Sequence, residues 1–309
     1  MGQVSVSVND IRRSYGGIVA LNNLSFGVER GELFGIIGPD GAGKTTLFRI
    51  LATLLVADGG SAIVDGFDVV SDYKKIRRRV GYMPGKFSLY QDLTVEENLA
   101  FFASVFGTTI RENYHLIEDI YKQIEPFKNR RAGKLSGGMK QKLALCCALI
   151  HKPSVLFLDE PTTGVDPVSR KEFWQMLRRL QEQSITILVS TPYMDEATLC
   201  DRIALIHEGA FLTIDTPRGI VSKFESPLYA ASSDNMSRLL SDLRRMPDVE
   251  SCYAFGDVHH VVLTDYNRDR IPEHRISAIE NILREKGHAD VDIHPIAATV
   301  EDCFMKLND

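Results

Sequence analysis

A glycine-rich turn between a buried strand and an amphipathic helix constrains this chain more than any other feature. Leu33 to Ile37 is a short apolar run, and from Thr46 to Leu55 apolar residues recur at helical spacing. The turn between them reads Gly38-Pro39-Asp40-Gly41-Ala42-Gly43-Lys44-Thr45. It matches the pattern G-x(4)-G-K-[ST], in which backbone N–H groups close around phosphate oxygens at a helix N-terminus. The alternative, a glycine turn that merely contains lysine, is expected by chance on the order of once per hundred chains.

An acidic strand end supplies the complementary chemistry. In a phosphate loop, Lys44 would reach the β- and γ-phosphates and the Thr45 hydroxyl would ligate Mg²⁺. The apolar run Val155 to Leu158 ends in Asp159, placed to hold the Mg²⁺ shell, and Glu160, placed to polarise an attacking water. A strand ending in two acids is common, and helix capping is the alternative. The phosphate loop in the same chain favours the catalytic interpretation.

Composition excludes several classes of protein. The 309 residues are 44% hydrophobic and 25% charged, which is typical of about two globular domains. A formal net charge of -5 provides no global positive field for nucleic acid or an anionic membrane. The longest apolar run, Leu143 to Ile150, has 8 residues, whereas a spanning helix needs about 20. Met1 to Val6 has no basic and apolar leader, and the 5 cysteines form no CxxC pair. We therefore expect a cytoplasmic chain.

Alternating strand and helix patterns predict an α/β domain over residues 1–225. Its strands are expected at Val4–Val8, Leu33–Ile37, Val155–Leu158, Ile185–Val189, Arg202–His207 and Ala210–Ile214. Buried strands interleaved with helices imply a parallel sheet covered on both faces. Over about residues 86–150 only helical patterns occur. There, Thr94 and Glu97 form a capping box, and a second helix is expected over Glu112–Glu125. This insert is predicted to be a helical subdomain.

A second pattern begins near Ser226-Pro227 and predicts an accessory domain over residues 226–309. The predicted strands are 228–231, 249–255, 258–264 and 291–294, and the predicted helices are 236–245 and 275–285. That order, β-α-β-β-α-β, is the plan of a small α+β ferredoxin-like domain, here with a short tail helix after it.

The segment Leu135-Ser136-Gly137-Gly138-Met139 lies between the phosphate loop and the acidic strand. Together these elements resemble the ATP-binding subunit of an ABC transporter. The resemblance covers about residues 3–225, including Gly164-Val165-Asp166-Pro167, and implies a P-loop NTPase core that binds ATP with Mg²⁺. Met139 stands where the family has a glutamine. We interpret this as a difference between subfamilies, because that side chain need not touch phosphate.

The resemblance also assigns residues. Tyr15 matches the aromatic that stacks on adenine, although a lone tyrosine more often only packs. Ser136 and the amides of Gly137 and Gly138 face the γ-phosphate held by another subunit, so two chains must dimerise head to tail. The residues expected at the nucleotide are Tyr15, Gly38, Pro39, Asp40, Gly41, Ala42, Gly43, Lys44, Thr45, Thr46, Ser136, Gly137 and Gly138.

Two positions depart from the family. Gly85 stands where the family has a glutamine that touches Mg²⁺. Gln91, six residues further on, could replace that glutamine only if the loop refolded. Pro192 stands where the family has a histidine that contacts the γ-phosphate. Proline offers neither a side-chain donor nor a backbone N–H. Losing one preorganised donor costs about 3–4 kcal/mol, or 100- to 1000-fold in rate. The hypothesis is that the chain binds Mg-ATP well and hydrolyses it slowly, which favours a heterodimer in which Leu135–Met139 serves a competent partner site.

The resemblance implies the energy-coupling ATPase of an exporter. One ATPase domain followed by a β-α-β-β-α-β domain looks like the daunorubicin-resistance type of subunit, which serves ABC-2-type permeases. The tail Ala298–Phe304 resembles that group's closing helix. Such a subunit is bound to the inner face of the cell membrane through its permease. In this family the coupling helix of the permease docks at the segment that corresponds to Gly85–Thr94. The cargo is not visible from this chain.

Two other functions stay open. A nucleotide-binding regulatory half with little hydrolysis is supported by Gly85 and Pro192 and opposed by intact Lys44, Asp159 and Glu160. A soluble ABC protein acting on ribosomes or DNA usually carries two ATPase units or a long coiled-coil insert. Neither is present, and the acidic net charge also argues against a nucleic-acid partner.

Overall fold

The computed structural model describes residues 3–264 and 273–308, and the chain divides into two compact units after Pro217. The sequence placed this boundary at residues 225 and 226. The difference arises because a short helix, Pro217–Ser222, belongs largely to the second unit. Its buried Ile220 accepts a hydrogen bond at the backbone oxygen from Cys303 Sγ at 3.6 Å.

The first unit contains a central sheet and a smaller sheet. Its strands are β1 (Val4–Tyr15), β2 (Ile18–Glu29), β3 (Leu33–Ile37), β4 (Gly59–Val64), β5 (Phe67–Asp68), β6 (Val80–Met83), β7 (Val155–Asp159), β8 (Thr186–Thr191), β9 (Arg202–His207) and β10 (Ala210–Asp215). Its helices are α1 (Lys44–Leu51), α2 (Tyr73–Ile76), α3 (Val95–Val105), α4 (Ile110–Tyr121), α5 (Gly137–Leu149) and α6 (Pro167–Glu182), followed at the boundary by α7 (Pro217–Ser222).

The central sheet has the order β10-β9-β3-β8-β7-β6. All pairs are parallel except β9 with β10, which form the predicted hairpin. Every residue of β3, β7 and β8 is buried. The parallel sheet expected from the sequence is confirmed, and the carboxyl ends of β3, β7 and β8 meet at one edge.

The smaller sheet is antiparallel, with the order β2-β1-β4-β5. The sequence predicted a strand only over Val4–Val8, whereas β1 continues to Tyr15 and pairs with an unpredicted β2. Register shifts interrupt this pairing, and Asp10 and Asn23 adopt φ of 50° and 52°. Such bulges interrupt the two-residue alternation that identifies strands. Buried residues of both sheets and α1 form one core.

The helical subdomain consists of α3, α4 and α5. The predicted capping box of Thr94 with Glu97 is present at α3, and α4 has another, formed by Thr109 and Glu112. Helix α4 begins two residues earlier than predicted and ends at Tyr121, because the chain then turns through a separate 3-10 segment over Glu125–Phe127. Within the described ranges, no helix has the length and apolar character needed to cross a membrane.

The second unit contains β11 (Leu228–Ser232), α8 (Met236–Arg244), β12 (Val249–Phe255), β13 (Val258–Leu263), α9 (Glu273–Glu285), β14 (Asp292–Ile296) and α10 (Val300–Asn308). The strands form an antiparallel sheet with the order β12-β13-β11-β14. One face packs on α8 and α9 through a core that includes Val261, Leu243 and Leu283. The structure shows the β-α-β-β-α-β succession and the tail helix expected from the sequence.

Candidate nucleotide site

The glycines of the loop between β3 and α1 are required by geometry. Gly43 has φ 102°, and a Cβ there would lie 2.4 Å from the backbone oxygen of Ala20. Gly209, in the turn of the β9–β10 hairpin, donates its N–H to the Ala42 oxygen at 3.2 Å. A Cβ on Gly209 would lie 2.7 Å from the same Ala20 oxygen. The loop is thus held between the β1–β2 sheet and the hairpin, where only glycine has room.

Lys44 begins α1 and joins the loop to the acidic strand. Its Nζ donates to the backbone oxygens of Gly38 at 2.7 Å and Pro39 at 2.9 Å. The same Nζ lies 3.1 Å from Glu160 Oε1 in an ion pair. Because an ammonium group has three N–H donors, these partners engage all of them. A phosphate oxygen that binds Lys44 must therefore compete with the Glu160 carboxylate.

Ser190, at the end of β8, orients both acidic residues. Its Oγ donates to Asp159 Oδ1 at 2.7 Å and accepts from the Glu160 backbone N–H at 3.0 Å. The Glu160 backbone has φ 49°, a left-handed conformation that costs about 1–3 kcal/mol in a non-glycine residue. Ser190 was not predicted as a site residue. The sequence could have pointed to Ser190 through its position near the end of a predicted buried strand, since such ends lie on the carboxyl edge of a parallel sheet.

The oxygen donors present fit Mg²⁺. Asp159 is 1% exposed and has one carboxylate oxygen fixed by Ser190, while the half-buried Thr45 provides a hydroxyl at the first turn of α1. Carboxylate and hydroxyl oxygens are the ligands that this cation takes, usually together with water and substrate phosphates. Among the described residues no group of three or more His, Cys, Asp or Glu could hold a metal ion. In a nucleotide complex, phosphate oxygens and water would supply the other ligands that Mg²⁺ takes.

The two departures from the family pattern lie near this site. A Cβ on the exposed Gly85 would lie 3.1 Å from the Asp159 backbone oxygen, so a side chain at this position requires a shift of a few tenths of an ångström. Pro192 directly follows β8, which carries Ser190. Gln91 is exposed, and its backbone oxygen accepts from the Gly133 N–H at 2.9 Å, which ties it to the segment before α5. The contacts of Gln91 do not bring it to the acidic strand.

A buried carboxylate, missed by the sequence analysis, connects segments around the site. Glu196 Oε2 accepts from the hydroxyls of Thr162 at 3.1 Å and Thr191 at 2.5 Å. Its Oε1 accepts from Arg170 Nε and Nη2 at 3.1 and 3.0 Å. The Arg170 guanidinium also lies 4.2 Å from the centre of the Tyr193 ring. Glu196 thereby joins the turn after β7, the end of β8 and helix α6.

The Ser-Gly-Gly segment begins α5. Ser136 caps this helix, with its Oγ accepting from the Met139 N–H at 3.4 Å. A Cβ on Gly138 would lie 2.8 Å from Ser169 Oγ, and one on Gly137 would lie 3.3 Å from the Gly164 oxygen. The helix start therefore packs against the segment Gly164–Ser169 of its own chain.

Tyr15 lies at the exposed end of β1. Tyr15 is 42% exposed, and the Arg13 guanidinium lies 5.0 Å from the centre of its ring. Arg13 is held in turn by an ion pair with Asp58. An exposed ring on a strand end has a surface available for stacking on a planar base.

Sequence comparison places the chain in a family. The model described as ABC transporter matches residues 21–163. The Nod factor export ATP-binding protein I of Rhizobium sp. (strain N33) is 38% identical over 99% of this chain and 98% of its own length. The doxorubicin resistance ATP-binding protein DrrA of Mycobacterium tuberculosis is 39% identical over 87% of this chain and 81% of its own. The chain therefore belongs to the ABC transporter family.

Another relative is longer than this chain. The probable multidrug ABC transporter ATP-binding protein YbhF of Escherichia coli (strain K12) is 41% identical over 70% of this chain, which spans 38% of that protein. Solved ABC cassettes have the same α/β fold. The dimeric cassette MJ0796 matches with a TM-score of 0.62 and 26% identity over 68% of this chain and 98% of its own. A post-hydrolysis state of MJ0796, bound to ADP and Pi, matches equally well.

Proposed function

We propose that this chain is the ATPase subunit that powers an ABC exporter through a separate membrane permease of the ABC-2 type. The observation that carries the proposal is the arrangement of Lys44, Asp159 and Glu160 at one sheet edge in a chain of this family. Relatives along nearly the whole chain are named for Nod factor export and doxorubicin resistance. Binding to the permease would place the chain peripherally on the cytoplasmic face of the membrane.

The residue roles follow from the geometry and the family. The loop from Gly38 to Thr46 would cradle the phosphates, with Lys44 on the β- and γ-phosphates. Thr45 and Asp159 would hold Mg²⁺, which neutralises charge on the transferring phosphate. Glu160 would orient and polarise the attacking water. Tyr15 would stack on the adenine.

A complete site requires a second ATPase chain. Ser136, Gly137 and Gly138 begin α5, and the positive end of a helix suits a γ-phosphate presented by a partner. The dimeric structure of MJ0796 supports a pair of cassettes. In this proposal the pair is head to tail and consists either of two copies or of this chain with a different ATPase chain. The strand order β12-β13-β11-β14 supports a ferredoxin-like fold for the second unit.

We further propose that this chain's own site hydrolyses ATP slowly. Gly85 carries no side chain beside Asp159, and Pro192 cannot donate a hydrogen bond after β8. A regulatory half that binds nucleotide while a partner site turns over is favoured by the same two residues. Binding and hydrolysis must therefore be measured separately.

The test measures Mg-ATP affinity and turnover of the purified chain, with Glu160→Gln as the control for hydrolysis at this site. We expect binding together with turnover at least about 100-fold below that of the chain with histidine restored by Pro192→His. Gly85→Gln should restore less, because its Cβ meets the Asp159 backbone at 3.1 Å. Brisk wild-type turnover that Glu160→Gln abolishes would contradict the impaired site, and absence of ATP binding would contradict the whole proposal.

A further inference from the structure

The second unit has a cavity of about 630 Å³ at the sheet face that carries His260 and Val262, with Arg244 from the end of α8 in its wall. His260 and Val262 of β13 line it, whereas the alternating Val261 packs into the core with the two helices. Further walls come from Phe224, Leu228, Tyr253, Met305 and Lys306. Apolar walls with a few polar groups, in a volume of this size, are typical of small-molecule sites. Neither the nucleotide chemistry nor the helix packing makes use of this cavity.

An oriented acid–histidine pair lies in its wall. Asp302 Oδ1 is 2.6 Å from His260 Nδ1, and the Asp302 side chain is 3% exposed. The other carboxylate oxygen accepts from the Thr299 backbone N–H at 2.7 Å and hydroxyl at 2.6 Å. The His260 ring stacks on Phe255 with centroids 3.9 Å apart. The pair therefore has one orientation.

The pairing leaves one ring nitrogen for another partner. Because an ionised carboxylate only accepts hydrogen bonds, Asp302 fixes Nδ1 of His260 as a donor. In the neutral ring, Nε2 is then the nitrogen that can accept a hydrogen bond.

Two cations line the same cavity. Lys306 Nζ donates to Ser226 Oγ at 2.5 Å, and Arg244 Nε donates to the Cys252 oxygen at 2.9 Å. An ammonium group has three donors and a guanidinium has five, so both retain donors after these bonds. Of the two acids in the wall, Glu250 and Asp302, the second is already committed to His260 and Thr299. Lys306 and Arg244 therefore both keep N–H donors that an anionic group in the cavity could accept from.

We propose that this cavity binds a compact hydroxylated carboxylate. Its carboxylate would accept from Lys306 and Arg244, its hydroxyl would donate to His260 Nε2, and its apolar body would lie between Leu228 and Val262. Asp302, which orients His260, and Lys306 are four residues apart on α10 and therefore lie on the same face of this helix.

The probe for the test is 4-hydroxybenzoate, titrated into the full chain by calorimetry. We expect saturable binding with a Kd of about 0.1–1 mM. 4-Methoxybenzoate lacks the hydroxyl proton, and 4-hydroxybenzamide lacks the charge. Each analogue should bind about 10-fold more weakly, because each leaves one polar group of the cavity without its partner.

Variants identify the residues. Lys306→Met, at an exposed position, should weaken binding of the acid about 10-fold and leave binding of the amide unchanged. Arg284→Gln, on α9 away from the cavity, should bind like the wild type. Three results would overturn the proposal. They are a lack of saturable acid binding up to about 10 mM, equal affinity for the acid and the amide, and an unchanged affinity for the acid in Lys306→Met. Since no step involves ATP, failure here leaves the proposed ATPase function untouched.

Discussion

The ion pair between Glu160 and Lys44 sets up a competition at the scale of single residues. A triphosphate brings negative charge to the same Nζ that Glu160 contacts at 3.1 Å. We expect Glu160→Gln to bind Mg-ATP about 2- to 10-fold more tightly, because a neutral amide competes less for the lysine and no longer repels phosphate. Titration with a fluorescent ATP analogue measures this, with Glu172→Gln on the exposed side of α6 as the control. A weaker affinity in Glu160→Gln would show that the ion pair does not compete with nucleotide.

Glu196 contributes to stability through its buried partners. Replacing it by glutamine removes the charge that Arg170, Thr162 and Thr191 contact. We expect Glu196→Gln to lower the free energy of unfolding by about 2–4 kcal/mol, since Arg170 loses the buried one of its two carboxylate partners. The matched control is Asp195→Asn, which removes the other partner of Arg170, 3.5 Å away and 77% exposed, and is expected to change the free energy of unfolding by less than about 0.5 kcal/mol. Equal losses in urea denaturation would refute the role of burial.

Single residues were predictable where a local pattern fixes their chemistry. Lys44 follows glycines in a recognisable spacing, and Asp159 and Glu160 end an apolar run. Ser190 and Glu196 have no such pattern. Their importance comes from tertiary neighbours, since Ser190 meets the acids of the adjacent strand and Glu196 meets Thr162 and Arg170.

The same distinction holds for whole elements. The strands β3 and β7 are continuous apolar runs that match fully buried strands, and Thr94 with Glu97 defines the start of α3. The long pair β1 and β2 was largely missed, because bulges and partial exposure interrupt its alternation. The β-α-β-β-α-β succession of the second unit was predicted because its short elements alternate in hydrophobic period.

Helix α6 offers a pH-dependent test at the element scale. Hydrogen bonds from the Ser169 backbone and side chain lower the pKa of its capping residue Asp166. A lowered pKa in the folded state stabilises the fold above the ordinary pKa, and this stability is lost as pH falls through the lowered value. We therefore expect Asp166→Asn, an uncharged cap, to be less stable than the wild type at about pH 6 and to match it near pH 2–3. Denaturation midpoints across that range measure the difference, and a constant difference would contradict the argument.

At the scale of the whole molecule, the proposed function predicts that another chain completes the nucleotide site. Ser136→Arg places a bulky cation where the start of α5 would meet a partner's nucleotide. We expect it to abolish the Mg-ATP-dependent dimer in a Glu160→Gln background and to leave ATP affinity of the monomer within about 2-fold, because its own phosphate loop is unchanged. Light scattering after size-exclusion chromatography measures the dimer.

The control for this experiment is Ser104→Arg, on an exposed position of α3 in the same subdomain. It should dimerise like the parent protein. A dimer that survives Ser136→Arg would show that the Ser-Gly-Gly segment is not at the interface.

The bond from Gly209 to Ala42 offers a place to observe the phosphate loop from outside. Glu208, the neighbour of Gly209, is exposed in the hairpin turn, while Gly209 itself is buried against the loop. A small fluorophore attached at position 208 would report rearrangements of the loop by a change in emission and would leave every residue proposed to touch ATP unmodified. The hairpin thereby provides an optical handle for following occupancy in real time.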